Sequence, residues 1–203
     1  MRSRAGFSLT EMLVVVAIIL IVGGISVPTL SRAVDNAKLK SAAQQVAGLY
    51  EQAKIRATQD DTYHELLASP AQMCLDLDGN AACDASDPDV ELPAQVSLIS
   101  QGVPVELDPA VLGFAPLNED NSATYNQQGT QVHALAWNSR GLPCQRTSPS
   151  AVCSNNGQVA WVQYLQLQRT INEASYAAVT VSPTGRVKVW TYASGSNNGR
   201  NWF

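Results

Sequence analysis

The sequence is poor in histidine, the side chain that most often acts as a catalytic acid or base. It has only two histidines, His64 and His133, and they lie far apart along the chain. It has no glycine-rich phosphate loop, no nucleophile elbow and no zinc-binding His–Glu helix motif. The sequence therefore predicts a protein that is not an enzyme. A membrane-anchored enzyme is kept as the alternative from a different functional class.

Basic residues are absent from a long central stretch. Between Ala57 and Ser139 there are thirteen Asp and Glu residues and no Lys or Arg. From Arg140 onward there are six basic residues and one acid, Glu173. Such an asymmetry usually indicates a polarised surface. We expect acidic loops and basic strands to face each other or to face neighbouring subunits.

Cysteine is also scarce, with four residues in two equally spaced pairs. Cys74 and Cys83 are nine positions apart, as are Cys144 and Cys153, and turn-forming residues lie between them. Four cysteines allow three pairings, of which two local loops are the simplest. Such disulfides require an oxidising compartment. Zinc is the rival interpretation, but neither pair has zinc-finger spacing and the histidines are distant.

What the chain does have is a long hydrophobic run near its start. The run from Met12 to Ile25 is almost unbroken, and the leader before it, residues 1–6, carries Arg2 and Arg4. Since about 20 apolar residues cross a bilayer, residues 7–30 are predicted to span a membrane once. The positive-inside rule keeps the arginines in the cytoplasm and places the rest of the chain outside.

Three simpler interpretations of this segment compete. A secretory signal peptide needs a small-residue cleavage site after its core, and Ser26-Val27-Pro28-Thr29 is a poor one. A plain single-span anchor fits the length but leaves Gly6 and Glu11 unexplained. A buried core helix is disfavoured because the stretch from Phe7 to Leu30 holds a single charge. A carboxylate at the edge of a membrane span is costly, so it usually has a partner and a function.

Beyond Pro28 the pattern becomes that of an amphipathic helix, and one helix is predicted from about Phe7 to about Gln59. Residues 31–60 continue into a head domain, 61–203, and a coiled-coil dimer is the alternative for this half. Apolar residues recur at steps of three and four, at Leu39, Ala42, Val46, Leu49, Ala53 and Ala57.

From about Leu66 the pattern changes to short strands and turns. The predicted fold is therefore α+β, with a long N-terminal helix, transmembrane in its first half, packed on an antiparallel β-sheet head. The strands expected are a hairpin of 96–100 with 103–107, a strand 132–137 ending in a glycine-containing turn, a strand 159–167, and a hairpin of 178–181 with 186–190.

The start of the chain resembles a known processing signal. GFSLTE followed by MLVVVAIILIVGGISVP is similar to the class III signal of type IV pilins and type II secretion pseudopilins. The resemblance implies a pilin-like fold, cleavage by a prepilin peptidase between Gly6 and Phe7, and N-methylation of Phe7. Glu11 is then the fifth mature residue and Pro28 the twenty-second, where the family has its glutamate and its helix-kinking proline.

The same resemblance implies location and partners. The protein is expected to enter the inner membrane with a periplasmic head and then to join a pilus or pseudopilus filament. Its partners are other pilins or pseudopilins, the prepilin peptidase and an inner-membrane assembly platform. In the filament, Glu11 is expected to neutralise the N-terminal ammonium of a neighbour, because buried charges are tolerated when paired. Pro28 lacks an amide hydrogen and is expected to break or kink the helix.

Two later segments narrow the resemblance. AWNSRGLP at 136–143 and VTVSPTGRVKVW at 179–190 are similar to the C-terminal half of GspH-type minor pseudopilins and FimT/FimU minor pilins. They imply a minor pilin that helps to prime a type IV pilus. The alternatives are a minor pseudopilin of a type II secretion system and a DNA-binding minor pilin. The presence of Glu11 argues against the tip-most family members, and the insert 60–118 has no match in the resemblance.

An acidic loop is the first of two predicted ligand sites. Its oxygen-bearing residues alternate, as in calcium loops, but the glycine is fourth rather than sixth as an EF-hand requires. The alternative is a disulfide-closed acidic turn without an ion. No other cofactor is predicted, and the calcium ligands are Asp76, Asp78, Asn80 and Asp84.

A basic turn is the second predicted ligand site. Some FimT proteins are DNA-uptake receptors with a Gly-Arg-x-Arg motif, and Gly185-Arg186-Val187-Lys188 is similar to it. Lysine keeps the attraction to phosphate but lacks the bidentate fork of arginine. Gly-Arg is also common at this turn in relatives with no DNA role, so both interpretations stay open. The DNA-binding residues are Arg186, Lys188 and Arg200, with Trp190 and Trp202 for stacking.

Overall fold

The computed structural model divides into two compact units, residues 1–37 and 38–203, and each is described by itself. Several residues of the sequence predictions lie outside the described part of the chain, among them Arg2, Arg4, Gly6, Phe7, His133, Arg200 and parts of the strands expected at 96–107, 132–137 and 159–167. The described residues are 8–80, 82–99, 103, 104, 107, 134–146, 153, 161–170, 173–192, 202 and 203.

One helix, α1, spans Leu9–Gln59, close to the predicted range. The helix assignment continues through Pro28, so the helix is not broken at that residue, and the predicted kink stays a prediction. The helix ends where Asp61 adopts a left-handed φ of 50° and the Thr62 N–H donates to the Ala57 carbonyl at 3.2 Å. This is the Schellman arrangement that commonly terminates helices.

The predicted apolar stripe of α1 is confirmed within the unit 38–203. Its members, with Ala43 and Tyr50 added, are all at most 3% exposed. Burial of Tyr50 raises the pKa of its hydroxyl far above the usual range, because the charged form is desolvated. The stripe consists of Leu39, Ala42, Ala43, Val46, Leu49, Tyr50, Ala53 and Ala57.

The described part of the head contains nine strands, and every pairing among them is antiparallel. The strands are β1 His64–Ser69, β2 Gln72–Asp76, β3 Asp89–Glu91, β4 Val96–Ile99, β5 Ala134–Trp137, β6 Pro143–Arg146, β7 Trp161–Thr170, β8 Glu173–Val181 and β9 Val187–Thr191.

The strands form two sheets. The first sheet has the order β3-β2-β1-β5-β6, and the second has the order β4-β7-β8-β9. The expected hairpin of 178–181 with 186–190 is confirmed as β8–β9. β4, the first half of the hairpin expected between 96–100 and 103–107, pairs on one side with β7, and it is the edge strand of its sheet. Residues 100–102, 105 and 106 lie outside the described chain, so the hairpin stays a prediction. Val96 and Leu98 of β4 are buried, and Leu167 and Leu165 of β7 lie opposite them.

Two hydrophobic clusters lie on different faces of these sheets. The main core joins the α1 stripe to one face of both sheets, with Leu66, Leu75, Leu165 and Val179 among its members. The predicted α+β fold, a long helix packed on antiparallel sheets, is thereby confirmed. The outer cluster lies on the other face of the second sheet and consists of Leu107, Val162, Tyr164, Ala178, Trp190 and Trp202.

Candidate assembly segment and head surfaces

The start of α1 is closed by a reciprocal cap around Glu11. The Glu11 N–H donates to the Ser8 hydroxyl at 3.2 Å, and the Ser8 N–H donates to a Glu11 carboxylate oxygen at 3.4 Å. The Met12 N–H donates to the Ser8 carbonyl as the first bond of the helix. This is a capping box, in which a serine and a glutamate three residues later satisfy each other's backbone donors.

The first turns of α1 leave their apolar side chains exposed. Leu9 is 82% exposed and Leu20 is 70% exposed, and the large apolar residues from Met12 to Ile19 are 46–64% exposed. Contiguous exposed apolar surface of this kind marks a segment that contacts lipid or another protein. Among the residues that the structure describes, no helix is long and apolar enough to cross a membrane.

Both disulfides lie on the face of the first sheet that is turned away from the main core. Cys74 is bonded to Cys83 and Cys144 to Cys153, with Cα–Cα distances of 5.8 and 5.4 Å. These are the two local pairings that the spacing favours. Met73 and Leu75 belong to the main core, so strand alternation turns Cys74 to the opposite face. Each disulfide thus ties a loop back onto that face.

The two disulfides are expected to stabilise the head substantially. Each closes a loop of nine residues, for which chain entropy predicts about 2–3 kcal/mol. The double variants Cys74→Ser/Cys83→Ser and Cys144→Ser/Cys153→Ser should each lower the melting temperature of the full chain in detergent. A dithiol reductant should lower that of the unmodified chain by more than either variant alone. An unmoved melting temperature would contradict the structural role of both bonds.

The predicted calcium loop brings together a partly different set of carboxylates. Oxygen atoms of Asp76, Asp78 and Asp87 lie within 4.8 Å of one another. Asp87 was not predicted, because only folding of the loop brings it beside Asp76. Predicted ligand Asp84 instead accepts hydrogen bonds from the hydroxyl and backbone N–H of Ser86.

Hydrogen bonds already engage the oxygens of this loop. Asp76 accepts from the Gly79 N–H at 2.7 Å, and Asp87 accepts from the N–H groups of Leu77 and Asp84, each at 3.2 Å. The bonds from Ser86 and then Asn80 hold the pKa of the Asp84 carboxyl below its usual range. These contacts fit a self-satisfied acidic turn, and the calcium site stays a prediction.

The histidine that the structure describes has an ordinary structural partner. The His64 Nε2 lies 2.9 Å from a carboxylate oxygen of Asp60, and the ring is 6% exposed. This contact links the first strand to the residue that follows α1. Within the described chain, no disulfide cysteine and no second histidine contacts the His64 ring. The zinc interpretation therefore gains no support.

Two turns from different sheets meet above Lys54 of α1. The Lys54 ammonium donates to the Gly185 carbonyl at 2.8 Å and lies 5.7 Å from the ring centroid of Trp137. Gly185 has a φ of +77°, and a Cβ built there would lie 2.7 Å from the Gly141 carbonyl oxygen. This junction, defined as Lys54, Trp137, Gly141 and Gly185, connects α1 with both sheets. Three of its residues lie in the two segments of the family resemblance, but the sequence does not predict that these segments meet.

The predicted DNA-binding residues that the structure describes lie on the β8–β9 hairpin. Arg186 and Lys188 are exposed. The Lys188 ammonium lies 3.4 Å from the ring centroid of Trp190, a cation–π contact. Trp190 and Trp202 are only 6% and 7% exposed, within the outer cluster. The expected stacking of these two rings on bases is therefore not supported.

Pairing of the acidic and basic stretches is not seen at three exposed basic residues of the described chain. Arg140, Arg186 and Lys188 form no side-chain ion pair with any residue that the structure describes. The ion pairs found there at the end of α1 are Lys54–Glu51 at 3.9 Å and His64–Asp60 at 2.9 Å. Arg186 and Lys188 are thus exposed and have no carboxylate partner among the described residues, while Lys188 contacts the Trp190 ring.

Comparison with known proteins defines the class to which the N-terminal segment belongs. Residues 1–27 match the family model described as the prokaryotic N-terminal methylation motif. This motif marks the type IV pilin and pseudopilin family, as the sequence predicted, and implies processing by the prepilin peptidase and assembly with other pilins. It also fits a membrane-anchored pilin that later joins a filament. No curated protein and no solved structure gives a significant match.

Proposed function

We propose that this chain is a minor pilin, similar to the GspH, FimT and FimU types, that assembles into a type IV pilus and helps to prime its polymerisation. The observation that carries this proposal is the methylation motif at 1–27 on a helix that continues into the core of a separate head. The exposed apolar residues in the first turns of α1 supply an assembly surface. The same helix continues into the α1 stripe, which packs in the core of the head. The role is structural and not enzymatic.

The proposed route begins in the inner membrane, which the N-terminal segment crosses once with the head in the periplasm. The prepilin peptidase cleaves after Gly6 and methylates Phe7, and the inner-membrane platform adds the subunit to the filament. Two disulfides in the head agree with folding in the oxidising periplasm.

Two other machines use subunits with the same N-terminal motif, and they provide the alternative functions. One is a type II secretion system, in which the chain would be a minor pseudopilin. The other is a DNA-uptake pilus, which is favoured by exposed Arg186 and Lys188 on one hairpin. Phosphate binding by these residues alone would give sequence-independent and strongly salt-dependent affinity.

The proposal predicts that deleting the gene abolishes surface pili and leaves protein secretion intact. Pili are counted by electron microscopy, and secreted protein is assayed in the same cultures. Normal pili with failed secretion would favour the pseudopilin, and normal pili with normal secretion would favour DNA uptake.

Complementation of the deletion strain connects this phenotype to processing. A copy with Gly6→Ala should keep its leader and fail to restore pili, whereas Ser3→Ala, in the same leader, should be cleaved and restore them. A mature-sized band from the Gly6→Ala copy would overturn the cleavage site.

A further inference from the structure

The two sheets end in short edge strands of opposite charge. β3 reads Asp89-Val90-Glu91 at the edge of the first sheet. Arg186 leads into β9 at the edge of the second sheet, where the chain reads Arg186-Val187-Lys188. Asp89, Glu91, Arg186 and Lys188 are all exposed. Each edge therefore repeats one pattern, charged–apolar–charged, with opposite signs.

The backbone of β3 offers hydrogen-bonding groups on its outer side. The Leu92 N–H donates to the Ala71 carbonyl at 2.9 Å, which directs Leu92 and, two residues earlier, Val90 toward β2. In an antiparallel pair the alternate residues direct their N–H and C=O groups away from the partner. The backbone groups of Asp89 and Glu91 thus point outward, and no described residue bonds to them.

β9 offers the complementary set. The Tyr192 N–H donates to the Tyr176 carbonyl at 3.0 Å, so Tyr192, Trp190 and Lys188 point toward β8. Val187 and Val189 point outward by the same alternation. Within the described chain only the end of this edge is occupied, where Thr191 and Phe203 exchange backbone bonds at 2.9 and 3.2 Å.

On both edge strands the valines and the charged residues lie on opposite faces of the sheet. Val90, Val187 and Val189 pack against the main core, which lies on the α1 side of the sheets. The charged residues between them therefore lie on the opposite face. If the two edges joined with their core sides aligned, the acidic and basic rows would lie on one face, and the valines on the other.

We propose that β3 of one copy of this chain pairs in parallel with β9 of a second copy. In a parallel pair, a residue whose backbone groups point to the partner lies opposite one whose groups point away. This register puts Asp89 opposite Arg186, Val90 opposite Val187 and Glu91 opposite Lys188. Edge pairing gives affinity through main-chain hydrogen bonds, and opposite cross-strand charges select the partner.

The charges also exclude the competing edge pairs. Two β9 edges would bring lysine and arginine together, and two β3 edges would bring carboxylates together, so only unlike edges attract. A contact between two different patches is heterologous and repeats along an open filament. In this respect the inference rests on the proposed function, since the filament brings the heads of successive copies together.

The experiment uses two tagged copies of the full chain, co-expressed and purified from membranes in detergent at low salt. Unmodified copies should co-purify, and salt should weaken the contact because exposed charges are screened. Arg186→Glu/Lys188→Glu in both copies, or Asp89→Lys/Glu91→Lys in both, should each reduce co-purification about tenfold. Co-expression of one copy carrying Arg186→Glu/Lys188→Glu with one copy carrying Asp89→Lys/Glu91→Lys should restore co-purification. The melting temperature of each variant should match that of the unmodified chain, which checks that both are folded.

Rescue by the reciprocal pair supports the contact between copies. Loss without rescue would overturn it and assign the basic strand to another anion, such as the phosphates of DNA. No loss in either variant, or no co-purification of unmodified copies, would also overturn it. These results do not depend on whether deletion of the gene removes pili, so the two proposals can fail separately.

Cross-linking tests the register. Asp89→Cys in one copy and Arg186→Cys in the other should be joined by a short bismaleimide. The control pair, Val90→Cys with Arg186→Cys, places the thiols on opposite faces and should not be joined. Equal yields from the two pairs, or none from either, would overturn the parallel register.

Discussion

Gly185→Ala is expected to destabilise the protein by about 2–5 kcal/mol, the largest effect that we predict for a single methyl group. A residue with a side chain at a φ of +77° carries strain of about 1–2 kcal/mol. The new Cβ would also lie 2.7 Å from the Gly141 carbonyl oxygen and 3.0 Å from the Trp137 ring, an overlap of about 1–3 kcal/mol. The turns must therefore separate, and the Lys54 bond to the Gly185 carbonyl is lost with them.

Gly79→Ala is the matched control for this experiment. Its φ of +74° gives the same backbone strain, but nothing lies within 4 Å of a Cβ built there. Thermal melts of the full chain in detergent should show a fall of about 10 °C for Gly185→Ala and about 5 °C for Gly79→Ala. Equal shifts would show that the close approach of the two turns adds nothing to stability.

The junction also shows where sequence-based prediction stops. The β8–β9 hairpin, and the strand and turn at 132–143, were predicted, because alternating residues and glycine-containing turns are local signals. The contact between Gly141 and Gly185 joins turns more than forty residues apart. Neither periodicity nor turn chemistry specifies which turns will meet, so a positive φ and a close approach are found only in the folded protein.

The same distinction applies to β4. The sequence predicts Val96–Ile99 as a strand but does not predict its pairing with β7. In the structure it pairs with β7, whose Leu165 and Leu167 lie opposite Leu98 and Val96. All four side chains belong to the main core, so their burial stabilises this non-local pairing. Strand existence is a local property, whereas strand pairing is a property of the whole core.

At the assembly segment the missed signal was local. Ser8-Leu9-Thr10-Glu11 has the spacing of a capping box, and the structure forms its reciprocal bonds. The sequence interpretation gave Glu11 a role between subunits and did not consider a role within its own helix. The disulfide partners, in contrast, follow from equal spacing of nine. The acidic loop was predicted only in part, since Asp76 and Asp78 were named from the sequence and Asp87 was not.

Glu11→Ala is expected to leave the protein in the membrane and almost abolish its incorporation into pili. The substitution removes the charge that is proposed to neutralise the N-terminal ammonium of a neighbouring subunit. An ammonium left unpaired in an apolar bundle is strongly destabilising, by about 3–5 kcal/mol. Incorporation is measured by immunoblotting sheared pili and membrane fractions of the complemented deletion strain.

Alanine removes both the charge of Glu11 and its bond in the capping box, so Glu11→Ala alone does not separate the two roles. Glu11→Gln separates them. Glutamine at this position of a capping box can still accept the Ser8 N–H, so the start of α1 stays closed while the charge is removed. If neutralisation between subunits is the function, both variants should remain in the membrane and be missing from sheared pili. Normal incorporation of Glu11→Gln would instead assign Glu11 to capping its own helix. The paired-charge role would then be wrong even if Glu11→Ala fails to assemble.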